Sequence, residues 1–315
     1  MPSAPTPLPA AGPSPAGGGD ELPLAGPGQA GRLARAVPGL VRWPNLAIML
    51  LSLVLVRAML LPGQPLSRVL LAPRFGLVVL AALLVAAAGY IINDYYDVKI
   101  DAINRPARLV VGRLLRRRHA MLAHLVLSGV GVALALAMSR AVGAVTLGAA
   151  LLLWGYSARF KRLPLVGNVS IATLTAALVL LPELQLRTGR EAVWLYALAA
   201  FLLTAVREIV KDLEDMRGDG QHGCQTLPLV WGVARSKVVA GFFLACLAGL
   251  VLGAAGQLLA WGRWGLAAWL LGLVLLPLGW LARLLWRADR RRHFRQLSAW
   301  CKGIMLAGVL SMVLV

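Results

Sequence analysis

Asn93-Asp94-Tyr95-Tyr96-Asp97-Val98-Lys99-Ile100-Asp101 shares its acidic spacing with Lys211-Asp212-Leu213-Glu214-Asp215-Met216-Arg217-Gly218-Asp219. Both read D-x2-D-x3-D. At about 100° per residue, positions i, i+3 and i+7 fall within an arc of roughly 60°, so a helix would present all three carboxylates on one face. Each copy follows a long apolar run, Phe75–Ile92 for the first and Val193–Val206 for the second. The chain has 13 acidic residues, and eight of them fall in or beside these copies: Asp94, Asp97, Asp101, Glu208, Asp212, Glu214, Asp215 and Asp219. The formal charge of the whole chain is +19, so this concentration of negative charge needs a chemical reason.

Two like charges 4 Å apart repel by about 1 kcal/mol in water and about 4 kcal/mol at an effective dielectric near 20. Oxygen-only clusters relieve that repulsion by holding a hard cation such as Mg²⁺. Mg²⁺ keeps some waters and is commonly shared between carboxylates and substrate phosphates. Two acidic helix ends facing one another therefore point to a diphosphate held through Mg²⁺. A pair of solvated acidic loops is the plain alternative, and the matched spacing argues against it.

Outside the motifs, composition decides the class. The chain has 315 residues, 59% hydrophobic, with a mean hydropathy of +0.75. These values belong to a polytopic membrane protein. Nine apolar segments are expected, near 44–61, 75–92, 120–138, 141–156, 165–183, 192–208, 238–260, 264–286 and 299–315. The motifs follow the second and the sixth, so both face the same side. With the N-terminus inside, 25 of the 32 Lys and Arg residues fall on inner pieces. The positive-inside rule then puts the N-terminus and both acidic ends on the cytoplasmic face of the cell's inner membrane. The basic residues sit in short loops between apolar runs, which argues for lipid and against nucleic acid. No protein partner is predicted. Residues 1–36, rich in Pro, Ala and Gly, read as a disordered tail ahead of a membrane domain over 37–315. They lack a charged start followed by an apolar run and are not expected to be a secretory signal. Cys224, Cys246 and Cys301 are scattered, so neither a disulfide framework nor a zinc site follows.

Other polar residues gather near the same face. Trp154-Gly-Tyr156-Ser-Ala-Arg159-Phe-Lys161-Arg162 ends the fourth segment. Its cations could pair with diphosphate oxygens or simply anchor the membrane edge. Asn45 and Asn168 lie just inside the first and fifth segments, where they could touch a ligand or bond a neighbouring helix. Arg57, at the outer end of the first segment, can snorkel and is given no role.

The residues resemble the UbiA superfamily of intramembrane prenyltransferases. Asn93-Asp94-x2-Asp97-x3-Asp101 matches that family's first motif, NDxxDxxxD. Asp215-x3-Asp219 matches its second, DxxxD, with Asp212 one turn upstream. The resemblance covers about residues 38–315. Three stretches look most like the branch that transfers a geranylgeranyl group to geranylgeranylglycerol phosphate: Ile92 to Pro106, Lys161 to Asn168, and Arg207 to Asp219. The family's YxxxK loop stands here as Tyr156-x4-Lys161 or Tyr156-x2-Arg159. After Pro106 the family's further Pro and Ser-Gly are replaced.

The resemblance implies an all-α fold of nine transmembrane helices around a central cavity. It implies Mg²⁺ held by Asn93, Asp94, Asp97, Asp101, Asp215 and Asp219, with Asp212 joining these aspartates in catalysis. Asn45, Asn93, Arg105, Tyr156, Arg159, Lys161, Asn168 and Lys211 would contact substrates. Those substrates would be an isoprenoid diphosphate, expected to be geranylgeranyl diphosphate, and the hydroxyl of a prenylglycerol phosphate. The same chemistry could instead serve an aromatic acceptor of quinone synthesis. A divalent-cation transporter is a more distant reading, because it should hold carboxylates near the membrane midplane and not at segment ends.

Overall fold

The computed structural model describes residues 28–61, 65–104, 109–221 and 223–315. Arg105 and most of the expected tail lie outside those residues. Among the described residues the chain is helical, with one isolated bridge between Val111 and Leu115. Nine segments among the described residues are long and apolar enough to cross a membrane, and the chain is an integral membrane protein. In order, α1 is Gln29–Leu40, α2 is Trp43–Leu55, α3 is Leu66–Leu71 and α4 is Pro73–Asn104. Then come α5 (Arg117–Met138), α6 (Arg140–Ala158), α7 (Val166–Leu186), α8 (Glu191–Gln221) and α9 (Leu227–Ala260). Finally come α10 (Trp264–Trp269), α11 (Leu276–Arg287) and α12 (Arg291–Ser311).

The apolar runs mark the membrane-crossing part of each helix, but several helices run past them. α4 has 32 residues and α8 has 31. At 1.5 Å per residue each is more than 45 Å long, against about 30 Å of bilayer hydrocarbon. Both acidic motifs therefore lie on helix and not in following loops. α9 starts eleven residues earlier than expected and is broken within its length at Gly232 (φ 81°, ψ 164°), a conformation open mainly to glycine. α12 starts at Arg291, eight residues earlier than expected, and takes part of the basic run into its first turn.

α1 also departs from the expectation of a tail reaching residue 36. Its Leu33 and Ala36 pack with Leu40 against Ile91, Val110, Val111 and Ala120, while Arg32 and Arg35 stay exposed. About three amphipathic turns, with polar residues between the apolar ones, do not register as an apolar run. Two spans carry π-helical turns, Val56–Leu60 after α2 and Leu270–Leu275 between α10 and α11. The second precedes Pro277, whose missing N–H breaks the regular ladder.

Packing follows membrane rules, with small residues where helices meet. A methyl group added at Gly131 of α5 would come 2.9 Å from the Ala81 carbonyl oxygen of α4. The largest apolar cluster joins α8, α9, α11 and α12 through Val206, Ile209, Leu244, Leu281 and Leu297. A second joins the Phe75–Ala82 end of α4 to α5, α6 and α7 through Ala135, Val142 and Leu181. A third joins α7 to α8 through Val179, Val193 and Ala197 and so links the two groups of helices that carry the acidic ends of α4 and α8.

Candidate active site

The first acidic cluster sits on the last three turns of α4 with cations already against it. Lys161 Nζ donates to Asp97 Oδ1 at 2.6 Å and to Asn93 Oδ1 at 3.3 Å. Asn93 Nδ2 donates to Asp97 Oδ2 at 2.9 Å, which locks the amide orientation. Arg42 Nη2 pairs with Asp94 Oδ1 at 3.2 Å. Asp101 completes the face and is half-buried. Lys161 arrives on a 3₁₀ turn, Phe160–Arg162, between α6 and α7. Burial pulls its ammonium below the usual lysine range, and the Asp97 carboxylate opposes that shift. Arg159, the other candidate in this loop, is exposed and forms no ion pair among the described residues.

The sequence reading missed Arg42. It stands at the N-cap of α2 with φ 52°, ψ 54°, a left-handed conformation that a non-glycine residue rarely takes. Its guanidinium lies 4.9 Å from the Tyr90 ring centroid while it pairs with Asp94. Asn45 Nδ2 donates to the Tyr90 hydroxyl at 3.2 Å, so α2 and α4 are tied at this point. Backbone strain of about 1–2 kcal/mol is thus held where the acidic cluster needs a cation. The only sequence signal was an arginine two residues ahead of Pro44, which the positive-inside count had already absorbed.

The second cluster follows the same logic on α8. Asn168 Nδ2, buried near the start of α7, donates to Asp212 Oδ2 at 2.7 Å. Asp215 faces Arg291 of α12 at 3.7 Å. Glu214, a third of a turn away, pairs instead with Arg295 at 3.1 Å. Asp219 is half-buried at the end of the helix, and its carbonyl accepts from the Cys224 amide at 3.1 Å. Glu208, one turn ahead of Asp212, is also part of this face. It is 5% exposed and bridges Arg207 Nη1 (2.7 Å) and Lys211 Nζ (2.8 Å). Lys211 therefore sits on Glu208 of its own helix and not on the first cluster. The sequence counted Glu208 with the acidic group but gave it no role in the site, because it belongs to neither D-x2-D-x3-D copy.

Two features join the clusters. Tyr156 of α6 lies between them, near enough to feel Glu208, Asp212, Asp97 and Arg42. The Gln225 amide donates to the Arg162 carbonyl at 2.8 Å, tying the α8–α9 connection to the loop that carries Lys161. Beside it, Cys224 feels Asp219, Asp97 and Lys161 together, and burial raises its thiol above the usual range. Lys161, Asp97, Asp219 and Cys224 are therefore near neighbours.

Among the described residues, no three carboxylates converge as a ready-made metal site. Arg42 and Lys161 occupy oxygens of Asp94 and Asp97, and Asn168 occupies one of Asp212. The donor set nevertheless suits a hard divalent cation. It is oxygen only, it is anionic, and cationic groups already stand against it.

Nine candidate spans among the described residues, with two acidic helix ends gathered on one side, define an integral membrane protein. Residues 58–303 match the UbiA prenyltransferase family, and the chain belongs to it. It is 34% identical over 196 residues to the digeranylgeranylglyceryl phosphate synthase of Methanospirillum hungatei, covering 62% of this chain and 67% of that one. It is 38% identical over 209 residues to the synthase of the same name from Thermococcus gammatolerans, covering 66% and 74%. Across curated relatives of this kind the aligned part spans from 56% to 74% of the relative's length. In fold, it matches a structure from work on digeranylgeranylglyceryl phosphate synthase in membranes, with a TM-score of 0.68 at 22% identity, covering 90% of this chain and 100% of the other. It also matches a UbiA homologue from Archaeoglobus fulgidus bound to DMAPP and Mg²⁺, with a TM-score of 0.60 at 19% identity, covering 88% and 98%.

Proposed function

We propose that the protein transfers a geranylgeranyl group from its diphosphate to the free hydroxyl of geranylgeranylglycerol phosphate, forming an ether and releasing diphosphate. The supporting observation is the gathering around Tyr156 of Asp97 on α4 and Asp212 on α8, with Lys161 placed against Asp97 and Arg42 against Asp94. The digeranylgeranylglyceryl phosphate synthases among the relatives support this acceptor.

Asn93, Asp94, Asp97 and Asp101 on one side, and Asp215 and Asp219 on the other, would hold Mg²⁺, with Asp212 beside them. Bound there, the ion would neutralise charge on the departing diphosphate. The protein's own cations act at the same place. Lys161 and Arg42 are hydrogen-bonded to carboxylates of the site, and each can turn its N–H groups to diphosphate oxygens when these arrive. Asn93 and Asp97 keep Lys161 in position for that exchange. As the C1–O bond breaks, positive charge develops on the allylic carbons. The Tyr156 ring can face that charge with its electron-rich surface. The isoprenoid tail stays in hydrocarbon, and the apolar walls keep out water that would quench the cation. The acceptor oxygen then bonds to C1. Its proton passes to a carboxylate of the rim or to the departing diphosphate.

The orientation that suits this reading places the acidic rim on the cytoplasmic side, as the positive-inside count indicates. Purified protein should be given labelled geranylgeranyl diphosphate with either geranylgeranylglyceryl phosphate or an aromatic acceptor. Ether formation with the first and none with the second is expected. Transfer only to the aromatic ring would replace the acceptor assignment while leaving the donor chemistry in place.

A further inference from the structure

The acceptor of the proposed reaction has two polar ends: a hydroxyl that reacts and a phosphomonoester that does not. Arg42 and Lys161 stand against Asp94 and Asp97 on α4, where the donor's diphosphate would be released. A second group of cations surrounds α8. We propose that Arg207, Lys211 and Lys302 form the subsite for the acceptor's phosphate. This rests on the reading that the acceptor is a prenylglycerol phosphate.

Charge is the first argument. Arg207 and Lys211 share one carboxylate, the buried Glu208. Lys302 of α12 lies close enough to feel both cations, and Glu214 is the one carboxylate it senses. Glu214 is itself matched by Arg295. Lys211 also feels Asp212, so three cations stand against two carboxylates, Glu208 and Asp212, and leave a net positive charge of one. A phosphomonoester carries about −1.5 to −2 at neutral pH and is attracted to that surplus.

Open valence is the second argument. Arg207 Nε is buried and has no hydrogen-bond partner among the described residues. Lys302 forms no ion pair among them and is exposed on the side of α12. Its neighbour Cys301 is fully buried and feels Arg207 and Glu208, which sets the Lys302 backbone against the α8 pair. An Arg fork and two ammonium groups can together surround phosphate oxygens.

Position in the membrane is the third. Lys302 lies three residues into the apolar run expected over 299–315, about 5 Å inside the polar end of that span. An ammonium group there stands at the level of lipid headgroups. A lipid acceptor entering from the side would bring its phosphate to this level, while Asp212, one residue beyond Lys211, belongs to the acidic rim where the hydroxyl must react.

The test uses the full chain in nanodiscs, with geranylgeranyl diphosphate as donor and two acceptors, geranylgeranylglyceryl phosphate and geranylgeranylglycerol. Wild type should show a KM for the phosphorylated acceptor at least about tenfold below that for the alcohol. Lys302→Gln should raise the first KM about tenfold and leave the second, and the donor KM, within about twofold. Lys302→Arg should restore most of the difference. Direct binding of geranylgeranylglyceryl phosphate in EDTA without donor should weaken in parallel. A thermal melt confirms that each variant is folded. Equal KM changes for both acceptors would overturn the subsite. So would displacement of the phosphorylated acceptor by phosphatidylglycerol at equal surface density, which would mark a general anionic-lipid contact. If wild type transfers nothing to the phosphorylated acceptor, the acceptor reading falls and this subsite with it. If wild type does use it and Lys302→Gln is silent, the subsite alone falls.

Discussion

Single carboxylates in this site differ by what stands opposite them, and that difference can be measured. Asp97 receives Lys161 at 2.6 Å, whereas Glu214 lies about 100° around the helix from Asp215 and pairs outward with Arg295. Asp97→Asn keeps the shape but removes one negative charge from the place where diphosphate must be held. Turnover should fall by about 2–4 kcal/mol of transition-state stabilisation, the range for one preorganised electrostatic contact. Asp215→Asn should behave likewise. Glu214→Gln should leave prenyl transfer near normal and cost about 0.2–1 kcal/mol of stability, because its partner Arg295 is largely exposed. Prenyl-transfer kinetics at saturating Mg²⁺, read beside thermal melts in detergent, separate these outcomes. Damage from Glu214→Gln equal to that from Asp97→Asn would contradict the assignment of faces. The aspartates were legible in the sequence because their spacing carries the helical period. Arg42 was not, because its role depends on a left-handed backbone and on Tyr90 from another helix. Arg159 and Lys161 could not be told apart by spacing, since the turn Phe160–Arg162 decides which of them reaches α4.

That turn shows what an element does that a residue cannot. Lys161 is placed by backbone packing. A methyl group added at Gly167 of α7 would lie 2.9 Å from Lys161 Cα and 3.0 Å from the Phe160 carbonyl oxygen. Backbone atoms cannot swing aside as a side-chain tip would, so Gly167→Ala should push the turn away from α4 and lengthen the Lys161–Asp97 contact. Displacement of about 1 Å at a catalytic contact can cost as much as 10²-fold, so turnover should drop about tenfold to a hundredfold. Gly148→Ala in α6, where an added methyl meets nothing within 4 Å, is the matched control and should keep full activity. An unchanged rate in Gly167→Ala would mean the turn accommodates the methyl without moving Lys161. Element ends were the least legible part of the chain. Apolar runs mark hydrocarbon and not hydrogen bonding, so α4, α8, α9 and α12 each continue beyond the runs that announced them. α1 was missed for the converse reason. Its apolar face is three residues wide and becomes visible only against Ile91, Val110 and Ala120.

Across the whole molecule, both acidic ends depend on one arrangement, in which the second and sixth spans finish on the same side. If that side faces the cytoplasm, water-soluble diphosphate and Mg²⁺ reach the rim directly while the lipid substrates arrive through the bilayer. Two measurements test this. Chelation with EDTA should abolish transfer, and Mg²⁺ or Mn²⁺ should restore it, because the aspartates of the rim offer hard oxygen donors. Full turnover in a metal-free preparation would remove the metal from the reaction. The second measurement addresses sidedness. A cysteine introduced at Gly220, at the exposed end of α8, in a chain whose Cys224, Cys246 and Cys301 are replaced by serine or alanine, should react with a membrane-impermeant maleimide only when the cytoplasmic face is open. A cysteine at Gly189, in the connection between α7 and α8 at the other end, should react only from outside. The two sites lie at opposite ends of one 31-residue helix, so they must label with opposite sidedness in any folded molecule. Their assignment to sides therefore reports orientation alone. Labelling of Gly220→Cys from outside would invert the molecule, place the acidic rim away from cytoplasmic diphosphates, and require a different source for the donor.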